Sequence, residues 1–130
     1  MEKVLFVCVH NSGRSQMAKA FFNILAKKRG IADSAGTEPS ESINPVVVQV
    51  MLEVGIDISR KTPKLLTPEL MEKFDRIITM GCGGETSCPA GYLPTEDWDL
   101  DDPEGKPIED VRLIRYKIKK RVEKLAAELK

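Results

Sequence analysis

No stretch of this chain approaches the ~20 consecutive apolar residues that a membrane span requires. The N-terminal apolar run, Val4 to Val9, is too short for a secretion signal, and it leads into His-Asn-Ser-Gly-Arg with no small-residue cleavage site. Charge of one sign is also missing. Twenty Lys and Arg balance twenty Asp and Glu, so no whole-molecule field draws the protein to nucleic acid or to an anionic membrane. Any anion site must be local. Histidine occurs once in 130 residues, which leaves little material for an imidazole-rich metal centre. Cysteine occurs three times, an odd number that makes a poor framework of structural disulfides. In a reducing compartment such thiols serve as buried filler, metal ligands or reactive groups. These absences lead us to expect a cytoplasmic protein with no membrane or nucleic-acid partner, folded as one domain over residues 1–130.

What is present alternates between two periods. Lys3 to Cys8 is a continuous apolar run of the kind a strand buried on both faces needs. Ser15 to Arg29 has helical periodicity, with Met17, Phe21 and Ile24 on one side and Ala18, Phe22 and Leu25 beside them. Lys27-Lys28-Arg29-Gly30 reads as its C-terminus, cations meeting the dipole and glycine supplying a left-handed cap. Ile31 to Ser34 is a second short strand. Asn44-Pro45 opens a helix that runs to Gly55, and Thr67-Pro68-Glu69 opens another that ends near Phe74. Arg76 to Met80 is a third strand, and the region around Trp98 offers at most one more. A last helix, Ile108 to Leu129, carries Val111, Ile114, Ile118, Val122, Leu125 and Leu129 as its apolar stripe. Strands alternating with helices give an α/β fold, a parallel sheet with helices on both faces. Such sheets bind ligands at the carboxyl ends of their strands. Cys8 sits at one such end and Cys82 just past another.

The loop between Cys8 and the first helix is Val9-His10-Asn11-Ser12-Gly13-Arg14-Ser15. It joins a strand end to a helix start, where backbone N–H groups lack intrahelical partners. Asn11 and Gly13 tolerate unusual φ, so the loop can curl with its N–H groups inward as a nest for an oxyanion. The helix dipole and the Arg14 fork reinforce it. Cys8 then lies beneath the nest as a nucleophile aimed at the ligand's central atom, with the Ser15 hydroxyl able to donate to its sulfur. Its rival role is that of a small buried hydrophobe, with Arg14 a surface residue. His10 contributes its backbone to the cradle, and no catalytic part is assigned to its ring.

"VCVHNSGRSQMA" resembles the phosphate loop of the low-molecular-weight tyrosine phosphatases and of the related thioredoxin-coupled arsenate reductases. "SAGT" (34–37), "EVGIDIS" (53–59) and "DDPEG" (101–105) are similar to segments of that family in matching places. The resemblance implies a four-stranded parallel sheet of order 2-1-3-4. The remaining thiols separate its two branches: a phosphatase needs one, whereas reducing an oxyanion takes two electrons, which a thiol pair supplies on becoming a disulfide. If the strand ending at Met80 lies ~4.8 Å from the first, Cys82 emerges near Cys8. Cys82 and Cys88 can meet only if their segment loops back, for which Gly83-Gly84 give freedom, and we expect that segment to rearrange as the thiols change state. The scheme implied by the resemblance is attack of Cys8 on arsenate, attack of Cys82 on Cys8 with loss of arsenite, and attack of Cys88 on Cys82. Thioredoxin is the implied reductant, and phosphate and sulfate are competing oxyanions.

Asp102, followed by Pro103, matches the family's general acid; on residues alone this stretch is also an ordinary acidic turn, with Asp101 as the second choice. Glu104-Gly105 stand where the phosphatase branch has aromatics. Some reductases of the family hold potassium with an asparagine, a serine and two carboxylates. Asn11 and Ser34 match, but Lys19 and Lys64 occupy the carboxylate positions, so no metal and no cofactor is expected. The alternatives to a reductase are a low-molecular-weight phosphatase and a thiol module that binds a soft metal or trivalent arsenic.

Overall fold

The computed structural model describes residues 1–80, 95–98 and 100–129. Four strands, β1 (Glu2–Cys8), β2 (Gly30–Gly36), β3 (Arg76–Thr79) and β4 (Thr95–Asp97), form one parallel sheet in the order β2-β1-β3-β4. This is the order implied by the resemblance. The helices are α1 (Arg14–Leu25), α2 (Pro45–Leu52), α3 (Pro68–Met71) and α4 (Ile108–Glu128). Successive β1 side chains point to opposite faces, and both faces are covered. Val4, Phe6 and Cys8 enter the larger core with α1, α2 and α4, whereas Leu5 and Val7 join Ala35, Ile77 and Met71 on the α3 side. That is why β1 reads as an unbroken apolar run.

Local chemistry sets the helix starts. The Asn44 side chain accepts from Val46 N at 2.9 Å and the Thr67 hydroxyl from Leu70 N at 3.1 Å, each ahead of a proline. The end of α1 differs from expectation. It stops at Leu25, the N–H groups of Arg29 and Gly30 both turn back to Ala26 O, and Gly30 belongs to β2 opposite Glu2. Gly30 is therefore no left-handed cap. It is small because a Cβ would meet Phe22 Cζ at 2.8 Å and Glu2 O at 2.9 Å. Arg29 still serves the helix end, donating to Leu25 O at 3.1 Å while a second guanidinium nitrogen reaches Ala126 O at 2.7 Å. Ile24, expected inside, is exposed in the last turn of α1.

Trp98 follows β4 and is buried 5.5 Å from Phe6, with its backbone N–H on Thr79 O at 2.8 Å and its indole N–H on Glu96 at 2.7 Å. It ties the edge strand to the core. Helix α4 buries the expected stripe of Val111, Ile114, Ile118, Val122 and Leu125. No helix among the described residues is long and apolar enough to cross a membrane.

The C-terminal end of α2 is tied to α4 by Glu53. Arg112 grips its carboxylate with two nitrogens, the shortest contact being 2.7 Å, and Arg115 adds another at 2.7 Å while also reaching Val50 O. The Arg112 hydrogen bonds, then those of Arg115, lower the Glu53 pKa from 4.5 to about 2. A carboxyl whose folded pKa is depressed contributes stability above its unfolded pKa and loses it as pH falls to the folded value. Glu53→Gln is expected to lower Tm at pH 7, and the difference from the unmodified protein should shrink from pH 4.5 down to about 2. Thermal unfolding followed by Trp98 fluorescence measures it; a gap that persists undiminished at pH 2 would contradict the assignment.

Candidate active site

β1 ends at Cys8 and α1 starts at Arg14, so residues 9–13 must reverse the chain over a short arc. Asn11 makes the corner at φ +51°, the one positive φ of a non-glycine among the described residues; asparagine tolerates that region better than most types. The loop lies against the end of β2, and Gly36 makes room for it. A Cβ on Gly36 would meet Val9 O at 2.5 Å and Asn11 N at 2.9 Å.

The loop's carbonyls are held from outside. Val9 O accepts from Glu38 N (2.8 Å), His10 O from Ser40 N (3.0 Å), Ser12 O from Asn44 N (2.9 Å) and Gly13 O from Met17 N (3.0 Å). Across a trans peptide the C=O and the following N–H point in opposite directions, and no described peptide is cis. The N–H groups of His10, Asn11 and Gly13 are therefore turned to the inside of the loop, and that of Arg14 to the open end of α1. Gly13 carries no side chain that would cap the helix, so no side chain competes with a ligand for the first-turn donors. The result is a concave turn lined by backbone N–H groups.

Cys8 is a free, buried thiol on the floor of this nest. Its Sγ lies 2.8 Å from Ser15 Oγ, and the neighbours fix how that hydroxyl is held. Lys64 N, which can only donate, is 2.9 Å from one end of the Asn11 amide, so that end is the oxygen. The other end is the NH₂, and it donates to Ser15 Oγ at 2.7 Å. The Ser15 oxygen accepts from Asn11 and its single proton remains available; a Cys8 thiolate can only accept, so in that form the Ser15 hydroxyl is the donor to the sulfur.

Arg14 is buried, with Nη1 donating to Met80 O at 2.6 Å and to Leu100 O at 3.0 Å, and Nη2 lying 3.9 Å from Asp102 Oδ2. Its fork is thus fixed by the ends of two sheet-top segments and faces the cleft beside Cys8, His10, Ser12 and Gly13, which Asn44, Asp102, Pro103 and Glu104 close from the far side. Pro103 is buried, and a Cβ on Gly13 would meet its Cγ at 2.9 Å; the missing side chain lets the acidic loop settle on the nest. Asp102 lines this cleft and Asp101 does not. The His10 ring is held at the rim by its Nδ1, which donates to Glu38 O at 3.1 Å. Lys19 and Lys64 converge on Asp33, Lys19 at 3.2 Å and Lys64 in direct hydrogen bond. Burial pushes the Asp33 carboxyl up, but the Lys64 and Ser34 hydrogen bonds and the Lys19 charge outweigh it, and its pKa is lowered. Cys82 and Cys88, with the expected loop around them, lie outside the described residues. β3 does pair with β1, and Met80 N donates to Val7 O at 2.8 Å, so the chain leaves the sheet at Met80 beside Cys8. Residues that sequence reasoning did not place in the site are Asn44, Gln16 and the Lys64 N–H, all brought in by backbone geometry.

Residues 3–130 match the model of the low molecular weight phosphotyrosine protein phosphatase family. The chain belongs to that family. Within it, similar proteins include the glutaredoxin arsenate reductase of Synechocystis sp., 38% identical over 99% of both chains. A solved arsenate reductase in its phosphate-binding state superposes with a TM-score of 0.86 at 37% identity over the full length of both chains. A thioredoxin-dependent arsenate reductase from Corynebacterium glutamicum superposes at 0.79 and 36% identity, over 96% of this chain and 60% of that one.

Gly36→Ala tests the nest. The new methyl collides with backbone at 2.5 Å, so the loop must shift. The variant is expected to be destabilised by about 1–3 kcal/mol and to bind inorganic phosphate at least ~10-fold more weakly. Calorimetric titration checks the binding, and unchanged affinity would mean that the loop is not the anion site.

Proposed function

We propose that this family member is an arsenate reductase that works through a three-thiol relay. The observation that carries the reading is the Asn11–Ser15–Cys8 chain of hydrogen bonds, which places the Ser15 hydroxyl 2.8 Å from a buried sulfur beneath a loop faced by Arg14. The two further cysteines in the sequence and the similarity to arsenate reductases select reduction over simple ester hydrolysis.

In this reading the N–H groups of Val9 to Ser15 and the Arg14 fork hold three oxygens of arsenate, and Cys8 attacks arsenic(V). Asp102 protonates the departing hydroxyl, which leaves as water, and a Cys8–arsenic bond remains. The Cys82 thiolate then attacks Cys8 Sγ. The electron pair of the sulfur–arsenic bond passes to arsenic, arsenite leaves, and Cys8 and Cys82 are joined by a disulfide. Attack of Cys88 on Cys82 frees the Cys8 thiolate and leaves a Cys82–Cys88 disulfide. Two electrons from a dithiol protein in the cytoplasm, thioredoxin in our reading, close the cycle. Glutaredoxin, in the name of the Synechocystis relative, is the competing donor. No metal or other cofactor takes part, and phosphate or sulfate compete at the nest.

The decisive experiment counts free thiols on the fully reduced protein before and after arsenate, with phosphate as control. We expect two of three thiols to disappear with arsenate and none with phosphate. Survival of all three, with hydrolysis of a phosphomonoester, would assign the site to a phosphatase instead; tight binding of zinc or trivalent arsenic without turnover would make it a binding module. Cys82→Ser should retain the arsenate adduct on Cys8 and release no arsenite. Two substitutions separate the roles in the first step. Arg14→Lys, which loses the planar fork, should cut kcat/KM for arsenate about 10²-fold. Asp102→Asn should slow adduct formation by about 10²-fold while leaving phosphate affinity nearly intact. Pre-steady-state thiol loss and phosphate titration read these two out.

A further inference from the structure

Gln16 sits in the first turn of α1 and is buried, an expensive place for a primary amide. Its Nε2 donates at 3.1 Å to Asn11 O and at 3.1 Å to Asn11 Oδ1. It therefore grips both oxygens of the one non-glycine residue that holds a positive φ among the described residues. One grip pins the Asn11 main chain at the corner of the loop. The other, together with Lys64 N, keeps the Asn11 amide oxygen away from Ser15, so that the amide NH₂ faces Ser15 Oγ. The geometry points to Gln16 as a positioning residue that sets the reactivity of Cys8 without touching it, through Asn11 and Ser15. This rests on Cys8 being the nucleophile, and it can be tested without any oxyanion.

The reactivity of Cys8 is read as its alkylation rate by iodoacetamide at pH 7, in a Cys82→Ser/Cys88→Ser background where it is the sole thiol. Gln16→Met keeps length and removes both donors; alkylation is expected to slow about five- to tenfold. Gln16→Glu, which sets carboxylate oxygens against the Asn11 oxygens, should slow it at least as much. The distinguishing arm is the double substitution. In a Ser15→Ala background, where the pathway to the sulfur is already cut, Gln16→Met should have less than about a twofold effect. A merely structural role would instead persist there undiminished, which would overturn the inference, as would unmodified rates in both Gln16 variants. The unmodified protein offers a check that does not depend on a variant's folding. The side-chain NH₂ of Gln16 should exchange with solvent far more slowly than that of the exposed Gln49; equal exchange would remove the hydrogen bonds on which the proposal stands. Alkylation that follows these expectations while arsenate leaves every thiol intact would keep the role of Gln16 and discard the reductase reading.

Discussion

The Asn11 amide can point only one way, because a main-chain N–H from Lys64 faces one of its ends. From that constraint the Asn11 to Ser15 direction is settled, and the Ser15 hydroxyl keeps a proton that a Cys8 thiolate can accept. A buried sulfur with a hydroxyl 2.8 Å away differs chemically from one packed as a small hydrophobe. The rest of the fold can be read as the means of holding Asn11 where this is true. Gly36 gives it space, the N–H groups of Glu38 and Ser40 fix the carbonyls before it, and Gln16 closes on it from α1.

The second constraint is the parallel sheet itself. Because β2, β1 and β3 run the same way, their carboxyl ends emerge together, and segments distant in sequence meet above them. Met80 O and Leu100 O take the Arg14 guanidinium from the β3 side, while residues 36–44 brace the loop from the β2 side. An arginine anchored by two carbonyls has little freedom left to lose when it binds, which suits a planar fork to a tetrahedral ligand. The acidic loop closes from above, and its seat depends on the absence of a side chain at Gly13. A local positive site can therefore exist in a chain with no net charge.

Much of the fold was legible because both periods were clean. β1 is apolar from Val4 to Cys8 since both of its faces are covered there, α4 shows an unbroken stripe, and Asn44-Pro45 and Thr67-Pro68 mark helix starts by local hydrogen bonds. The end of α1 was misread because Gly30 has the composition of a helix cap; its smallness answers to Phe22 and Glu2 instead, a tertiary demand that no local pattern carries. Ile24 went with it. At the site, the loop, Cys8, Arg14 and Ser15 could be read as a unit, since strand, loop and helix are contiguous. Asp102 could not be separated from Asp101 or from an ordinary acidic turn, because what singles it out is its approach to Arg14 across the sheet top.

By itself, then, the sequence determined the alternation of strand and helix, the helix starts, and a nest-forming loop with a thiol at its base. These are short-range consequences of periodicity, φ preference and unsatisfied helix N–H groups. Only the tertiary structure decided which way the Asn11 amide points, that Gln16 and the Lys64 N–H hold it there, which aspartate faces the cleft, and that Lys19 and Lys64 are both spent on Asp33. The physical reason is common to all four. Each depends on a donor or charge delivered from elsewhere in the chain, and a hydrogen bond formed across the fold leaves no period in the sequence.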